Sequence, residues 1–340
     1  MTGGGRRLLG LVLAAGVVGG CAGSAPGDQA SPALHRFTGE RPASSPAAPG
    51  AGVAPAGGGA LAGPAPAVEA PTPVDEAARA GVDLDAMPRA AADPAGLAEQ
   101  IRTAEQAIRD PATPPAEIAW YGHLQQVAYR ALAERPEWDG AVAAALPEEL
   151  RPVMAANVTA GRELRRPHRK PQTKLPAWRI VEPPPPEELR RYYEEGQAIY
   201  GVPWQYLAAV NLTETRMGRI RGTSSAGAQG PMQFIPSTWA AYGEGDINDH
   251  RDAILAAARY LAANGGGSGN LPNALYRYNP AQWYVNAVTA YAEQMVADER
   301  AYLGYHAWQV YYLTHLGDVL LPVGYEATAP RPVTPADVAG

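Results

Sequence analysis

The chain has 340 residues, and its 34 prolines and 37 glycines make up about a fifth of it, against a usual share of about 12%. Its formal net charge of −6 disfavours a nucleic-acid binder that works by neutralising phosphates. A single cysteine, Cys21, excludes an internal disulfide framework and a thiolate metal cluster.

Residues 1–21 read as an address. Arg6 and Arg7 open it, the apolar run Leu8–Val18 follows, and Gly19-Gly20 precede the cysteine, the order of a secretory signal. The run is too short for a spanning helix, which needs ~20 apolar residues. Val18-Gly19-Gly20-Cys21 resembles a bacterial lipobox. That resemblance implies a thiol carrying diacylglycerol, and so a chain anchored through Cys21 at the outer face of the cytoplasmic membrane. Plain secretion with cleavage nearby is the alternative. Residues 22–90 are expected to form a disordered tether. Roughly two-thirds of residues 22–74 are Ala, Gly or Pro, too few large side chains to offset ordering entropy. Stretches such as Pro71-Thr72-Pro73 favour extended backbone.

Residues 91–165 are expected to be helical. Leu97, Ile101, Ala104 and Ile108 step at three or four residues, as one helix face would. Asp110–Pro115 interrupts, and Ile118, Tyr121, Gln125, Ala128 and Leu132 mark a second helix. Further helices are expected at 139–146 and 152–164. This is a small bundle of unknown role, and its His123 reads as structural. Seven cations, from Arg162 to Arg179, and the run Pro183–Pro186 then read as a solvated linker, placed at 166–185. Attraction to anionic lipid or wall polymer is the sharper alternative.

From there the aromatic content rises. Fifteen of the 17 tyrosines and four of the seven tryptophans lie within 190–326. Tyr and Trp carry an apolar face and a polar tip, which suits a wet groove or sugar rings. Amphipathic helices also fill their core edges with Tyr. Pro186 and Pro203 mark helix starts and Gly201 an end. On the helix from Pro203 to Thr215, at 100° per residue, Glu214 lies about 20° from Leu207 and about 40° from Val210. A carboxyl group on that apolar stripe is desolvated, which raises its pKa. If it keeps its proton near neutrality it can protonate a leaving glycosidic oxygen. The bland alternative pairs Glu214 with Arg216 or Arg219.

Ser224–Pro236 is a small-residue loop whose glycines permit close backbone approach and whose Gln233 offers a donor and an acceptor. Asn273–Pro280 ends a short helix. Glu214-Thr215, Gly230-Pro231-Met232-Gln233 and Ala274-x-x-x-Tyr278-Asn279 follow one another in that order. Together they resemble the lytic murein transglycosylases, helical proteins of goose-type-lysozyme-like fold. Asp249–Leu261, with Asp249 as N-cap, and Tyr284–Tyr291 are similar to two further helices of that family. The likeness covers 185–298, with Thr215 where Ser is commoner and Pro at 231 and 280. It implies a mainly α fold, with a lysozyme-like catalytic domain at 186–326 preceded by the helical bundle. It also implies that Glu214 is the single catalytic acid/base and that Tyr278 hydrogen-bonds it. Thr215, Met232, Gln233 and Asn279 would line the subsites, with Tyr284 as an addition.

The implied substrate is the peptidoglycan glycan strand, cut at the β-1,4 bond between N-acetylmuramic acid and N-acetylglucosamine with 1,6-anhydro ring closure. No cofactor and no metal is implied, and His123, His168, His250, His306 and His315 show no ligand spacing. A monomer is expected. One rival is a lysozyme-type hydrolase, which needs a second carboxylate, with Asp246 or Asp249 available. The other is a tethered glycan-binding or scaffold module. Beyond 300, a short β-hairpin is expected around Gly317-Asp318, and a flexible tail at 327–340.

Overall fold

The computed structural model describes residues 83–167 and 170–338. The signal, Cys21, His168, Arg169 and most of the expected tether lie outside those residues. Four helices come first: α1 Pro94–Arg109, α2 Pro115–Ala133, α3 Asp139–Ala145 and α4 Leu150–Arg165. Asp93 caps α1 by accepting from the Gly96 N–H at 2.9 Å, and Pro94 occupies a position whose N–H would be orphaned anyway. The stepped residues Leu97, Ile101, Ala104 and Ile108 are completely buried.

A second run holds α5 Pro186–Tyr200, α6 Trp204–Thr215, α7 Pro236–Tyr242, α8 His250–Ala263, α9 Leu271–Tyr278, α10 Gln282–Ala297 and α11 Ala301–His306. The described residues are therefore mainly helical, as expected. Helix α6 is central: from Trp204 to Thr215 every residue except Gln205 is buried. The apolar stripe read from the sequence thus understates its position, because α6 has no solvent face to contrast with a core face.

The two helical regions share one core. Helix α4 packs on α10 and α2 on α11, and Leu97, Leu132 and Met154 join Leu207, Ala257 and Val288 in a single apolar cluster. The Arg300 guanidinium reinforces the junction, donating to the Ile108 and Asp110 carbonyls at 2.9 and 2.8 Å. Residues 91–165 are a wall of the folded body.

The segment read as a solvated linker is also built in. It supplies β1 Lys174–Leu175 and β2 Arg179–Ile180. Strand β2 pairs antiparallel with β3 Ile220–Arg221, just past the end of α6. Strands β4 Val310–Thr314 and β5 Gly317–Leu321 form the expected hairpin, but its loop is His315-Leu316, because Thr314 pairs with Gly317. Strand β1 pairs with β6 Arg331–Pro332, and α12 Pro335–Val338 follows. The tail expected to be flexible is thus part of the fold to Val338, with Arg331 held by Asp337 at 2.6 Å. Leu175, Trp178, Ile180, Ile220, Tyr312 and Val333 belong to a second, smaller apolar cluster. Leu175→Ala is expected to cost about 2 kcal/mol of stability, the low end for a buried leucine in a small cluster. A urea midpoint equal to that of the parent would make the segment a linker after all.

Candidate active site

Glu214 stands in the last turn of α6 and is fully buried. Burial pushes its carboxyl up to about 8, and the smaller opposing influence is a hydrogen bond from Tyr284. The C-terminal end of a helix is itself a region of negative potential, which also disfavours a carboxylate. The Tyr284 hydroxyl donates to Oε1 at 2.8 Å. Oε2 is equally buried and has no hydrogen-bond partner among the described residues.

The resemblance implies Tyr278 in that bond, and the structure corrects it. The Tyr278 hydroxyl donates to the Met232 carbonyl at 2.6 Å. Its ring lies parallel to that of Tyr284, with centroids 6.4 Å apart and 5° between the planes. Tyr278 therefore stands beside the Glu214–Tyr284 pair, and holds the loop that passes it. The signal for Tyr284 was available in the sequence, since Tyr284, Val288, Tyr291 and Met295 recur on one buried stripe of α10.

Neither arginine neutralises Glu214. Arg216 donates to the Leu212 carbonyl at 2.7 Å and lies 5.9 Å from the centre of the Trp308 ring. Arg219 pairs with Glu182 at 3.1 Å. The two carboxylates that a hydrolase could have used are exposed and occupied in turns. Asp249 caps α8 by accepting from the Asp252 N–H at 2.9 Å, and Asp246 accepts from the Asn248 N–H at 2.8 Å. No charged group figures among the influences on the Glu214 carboxyl.

The chain leaves α6 through three consecutive residues with positive φ: Arg216 at 54°, Met217 at 60° and Gly218 at 83°. Thr215 braces this turn. Its hydroxyl accepts from the Gly218 N–H at 3.0 Å and donates to the Pro231 carbonyl at 2.6 Å. Asn211 Nδ2 donates to that same carbonyl at 2.9 Å. The Tyr193 hydroxyl in turn fixes Asn211, donating to Oδ1 at 2.7 Å. Gln233 is 2% exposed, with φ of 52°, and its Nε2 donates to the Gly230 carbonyl at 3.0 Å. Met232 is fully buried, and Asn279 nearly so.

The residues singled out in the sequence have different tasks, and Thr215, Met232 and Asn279, expected to line the subsites, are buried instead and do not line the open cleft. Thr215 and Tyr278 pin the Pro231–Met232 backbone, while Tyr284 touches Glu214. An open cleft runs alongside, lined by Gln233, Phe234, Ile235, Thr238, Tyr260, Arg277 and Tyr278. Gln233 and Tyr278 belong to both the cleft and the buried cluster. Sequence reasoning missed Tyr260 and Arg277 as lining residues. Arg277 could have been placed, because a residue next to a buried helical tyrosine points about 100° away from it.

Residues 191–298 match the family model for the transglycosylase SLT domain. A stretch of 75 residues is 36% identical to membrane-bound lytic murein transglycosylase F of Thiobacillus denitrificans (strain ATCC 25259 / T1), covering 22% of this chain and 16% of that protein. The chain therefore aligns with less than a fifth of that relative's length. No solved structure matches the chain.

Proposed function

We propose, from the match of residues 191–298 to the transglycosylase SLT domain, a peptidoglycan lytic transglycosylase in which Glu214 is the single acid/base. The observation that carries this reading is a neutral carboxyl whose second oxygen is unused. Tyr284 donates to Oε1, so a protonated Glu214 carries its hydrogen on Oε2, the oxygen without a partner among the described residues. A bridging glycosidic oxygen brought against Oε2 would receive that proton, and because Oε2 is buried that contact requires the adjoining wall to open.

In the proposed reaction Oε2 protonates the oxygen leaving the N-acetylmuramic acid ring as the C1–O bond breaks. The substrate's acetamido oxygen stabilises the positive centre at C1. Glu214, now a carboxylate, takes the proton of the O6 hydroxyl as O6 bonds to C1, which closes the 1,6-anhydro ring and restores the acid. Both proton transfers use one carboxyl. Water must stay out of the second step, and the burial of Glu214 favours this.

Digestion of purified cell-wall glycan by the full chain, with products weighed, tests the reading. Products lighter by one water than the reducing sugars support it. Reducing sugars favour a hydrolase, and no cleavage at all favours a glycan-binding module.

Tyr284→Phe tests the geometry more finely. Removing the one influence that lowers the carboxyl's pKa moves it above about 8, so the alkaline limb of the pH–rate profile should shift upward. Losing one hydrogen bond of about 1 kcal/mol should cost roughly fivefold in turnover at pH 7. An unmoved limb would separate Tyr284 from the acid.

The lipobox-like Cys21 supports anchoring at the outer face of the cytoplasmic membrane, with residues 22–82 as the tether; the expected tether ends earlier than 90, because the Ala86 and Arg89 carbonyls already accept from Trp120 and Gln100 of the folded body. On that account Cys21→Ser moves the protein from the membrane to the soluble fraction, and continued sedimentation with membranes counts against lipidation.

A further inference from the structure

We infer that a cavity between the two helical regions, away from the Glu214 cleft, is a binding site for a small carboxylate anion, with Arg216 as its cation and the Tyr291 hydroxyl as its second donor. The cavity is walled by α2, α4 and α10, with Trp308 and Leu313 closing it. Three guanidinium groups line it, those of Arg130, Arg165 and Arg216.

Two of the three are neutralised. Arg130 and Arg165 share Asp318, with Arg165 Nη2 at 2.9 Å from Oδ2, and Arg165 also reaches Glu134 at 3.1 Å. The nearby buried Glu105 belongs to Arg109. Arg216 has no carboxylate partner among the described residues. It is 6% exposed, makes one hydrogen bond, to the Leu212 carbonyl, and is fixed by the left-handed turn that ends α6. A buried cation without a counter-charge costs several kcal/mol, and an anion beside it removes that cost.

The remaining polar walls narrow the geometry. Gln126 is used at both ends by the Gln309 backbone, and Asn157 by the Val153 carbonyl and the Tyr305 hydroxyl. The Tyr129 hydroxyl belongs to Glu105. Tyr291 is 2% exposed, lines the cavity and makes no hydrogen bond among the described residues. Arg216 is therefore the wall cation without a carboxylate and Tyr291 the wall hydroxyl without a hydrogen bond among the described residues, while the Gln126 and Asn157 amides each keep one second N–H. The space available to water centres is about 40 Å³, against the ~10–15 Å³ that one water needs. It holds a few waters or an acetate-sized ion, and it excludes a sugar ring. A planar carboxylate matches the guanidinium fork, and Leu164, Leu313 and Trp308 suit a short apolar substituent.

The test is calorimetric titration of the full chain with sodium acetate, against sodium chloride at matched ionic strength. Saturable binding of acetate is expected, with none for chloride. Arg216→Met should weaken acetate binding at least about tenfold, as loss of the charged partner demands. Tyr291→Phe keeps the ring in the core and should weaken binding by about three- to tenfold for one hydrogen bond, so the site stays testable if Arg216→Met fails to fold. Acetate indistinguishable from chloride overturns the proposal, as does a well-folded Tyr291→Phe chain that binds acetate like the parent.

Discussion

Glu214→Gln should abolish glycan cleavage and at the same time make the protein more stable. Glutamine keeps the shape and still accepts the Tyr284 hydrogen, but it has no proton to give. General acid–base catalysis contributes about 10²–10⁴-fold, and here one group performs both steps, so a loss of about 10³-fold or more is expected. The stability gain has a defined pH dependence. The folded carboxyl titrates at about 8, against an ordinary value of 4.5. Below 4.5 both folded and unfolded states hold the proton, and glutamine gains nothing. Between 4.5 and 8 the unfolded chain has released its proton while the folded chain retains it. The native state of the parent therefore loses stability as pH rises, by up to about 1.4 kcal/mol per unit. Above 8 both states are ionised and the deficit stays constant. Urea unfolding at pH 4, 6 and 8.5 should show the variant level with the parent at first, then ahead by about 2 kcal/mol and finally by about 4–5 kcal/mol. A pH-independent difference would mean that the carboxyl is not held neutral by burial, and parental turnover would remove Glu214 from the chemistry.

The helices were legible because their signals are local. Proline at a first turn, an Asp cap and apolar residues at three- and four-residue steps mark α1, α2 and α8 without any knowledge of what they touch. The motif residues of the site were legible for the same reason, each being a short contiguous spelling. Two things were not local. Strands β1 and β2 have two residues each, too short to show a period of two, and their partners lie about 157 and 41 residues away in the chain. A proline-rich, cationic stretch with such strands is indistinguishable from a linker until Leu175, Trp178 and Ile180 are seen in a core. The other is the division of labour between Tyr278 and Tyr284. Both tyrosines are buried beside Glu214, and the choice of donor depends on the path of the Pro231–Met232 backbone, which captures Tyr278. Sequence spacing carries no such information. The shared core of α4 and α10 was hidden likewise, because an amphipathic stripe states that a helix has a partner and not which one.

That captured loop is where a single methyl group should do most damage. Gly230 adopts φ of 75°, and a Cβ placed there would lie 1.9 Å from the Ile247 carbonyl oxygen. A backbone atom cannot swing aside as a side chain can, so Gly230→Ala has to move one of two main-chain segments. Both are constrained. The Gln229 and Phe234 backbones bond to each other in both directions at 2.9 Å, and the Gly230 carbonyl accepts from the Gln233 N–H at 3.1 Å. The next carbonyl, of Pro231, is held by Thr215 and Asn211, and that of Met232 by Tyr278. Displacement therefore propagates to the residues that flank Glu214. The combined strain and overpacking should cost about 3–5 kcal/mol, with glycan turnover falling at least about tenfold in whatever remains folded. Gly227→Ala provides the control, since its φ is similar at 82° but nothing lies within 4 Å of the added carbon. Backbone conformation alone costs it about 1 kcal/mol. The difference between the two melting temperatures isolates the collision with Ile247. If the two variants melt together and cleave glycan alike, the loop is free to shift, and the hydrogen bonds that pin it beside Glu214 do not hold the site in shape.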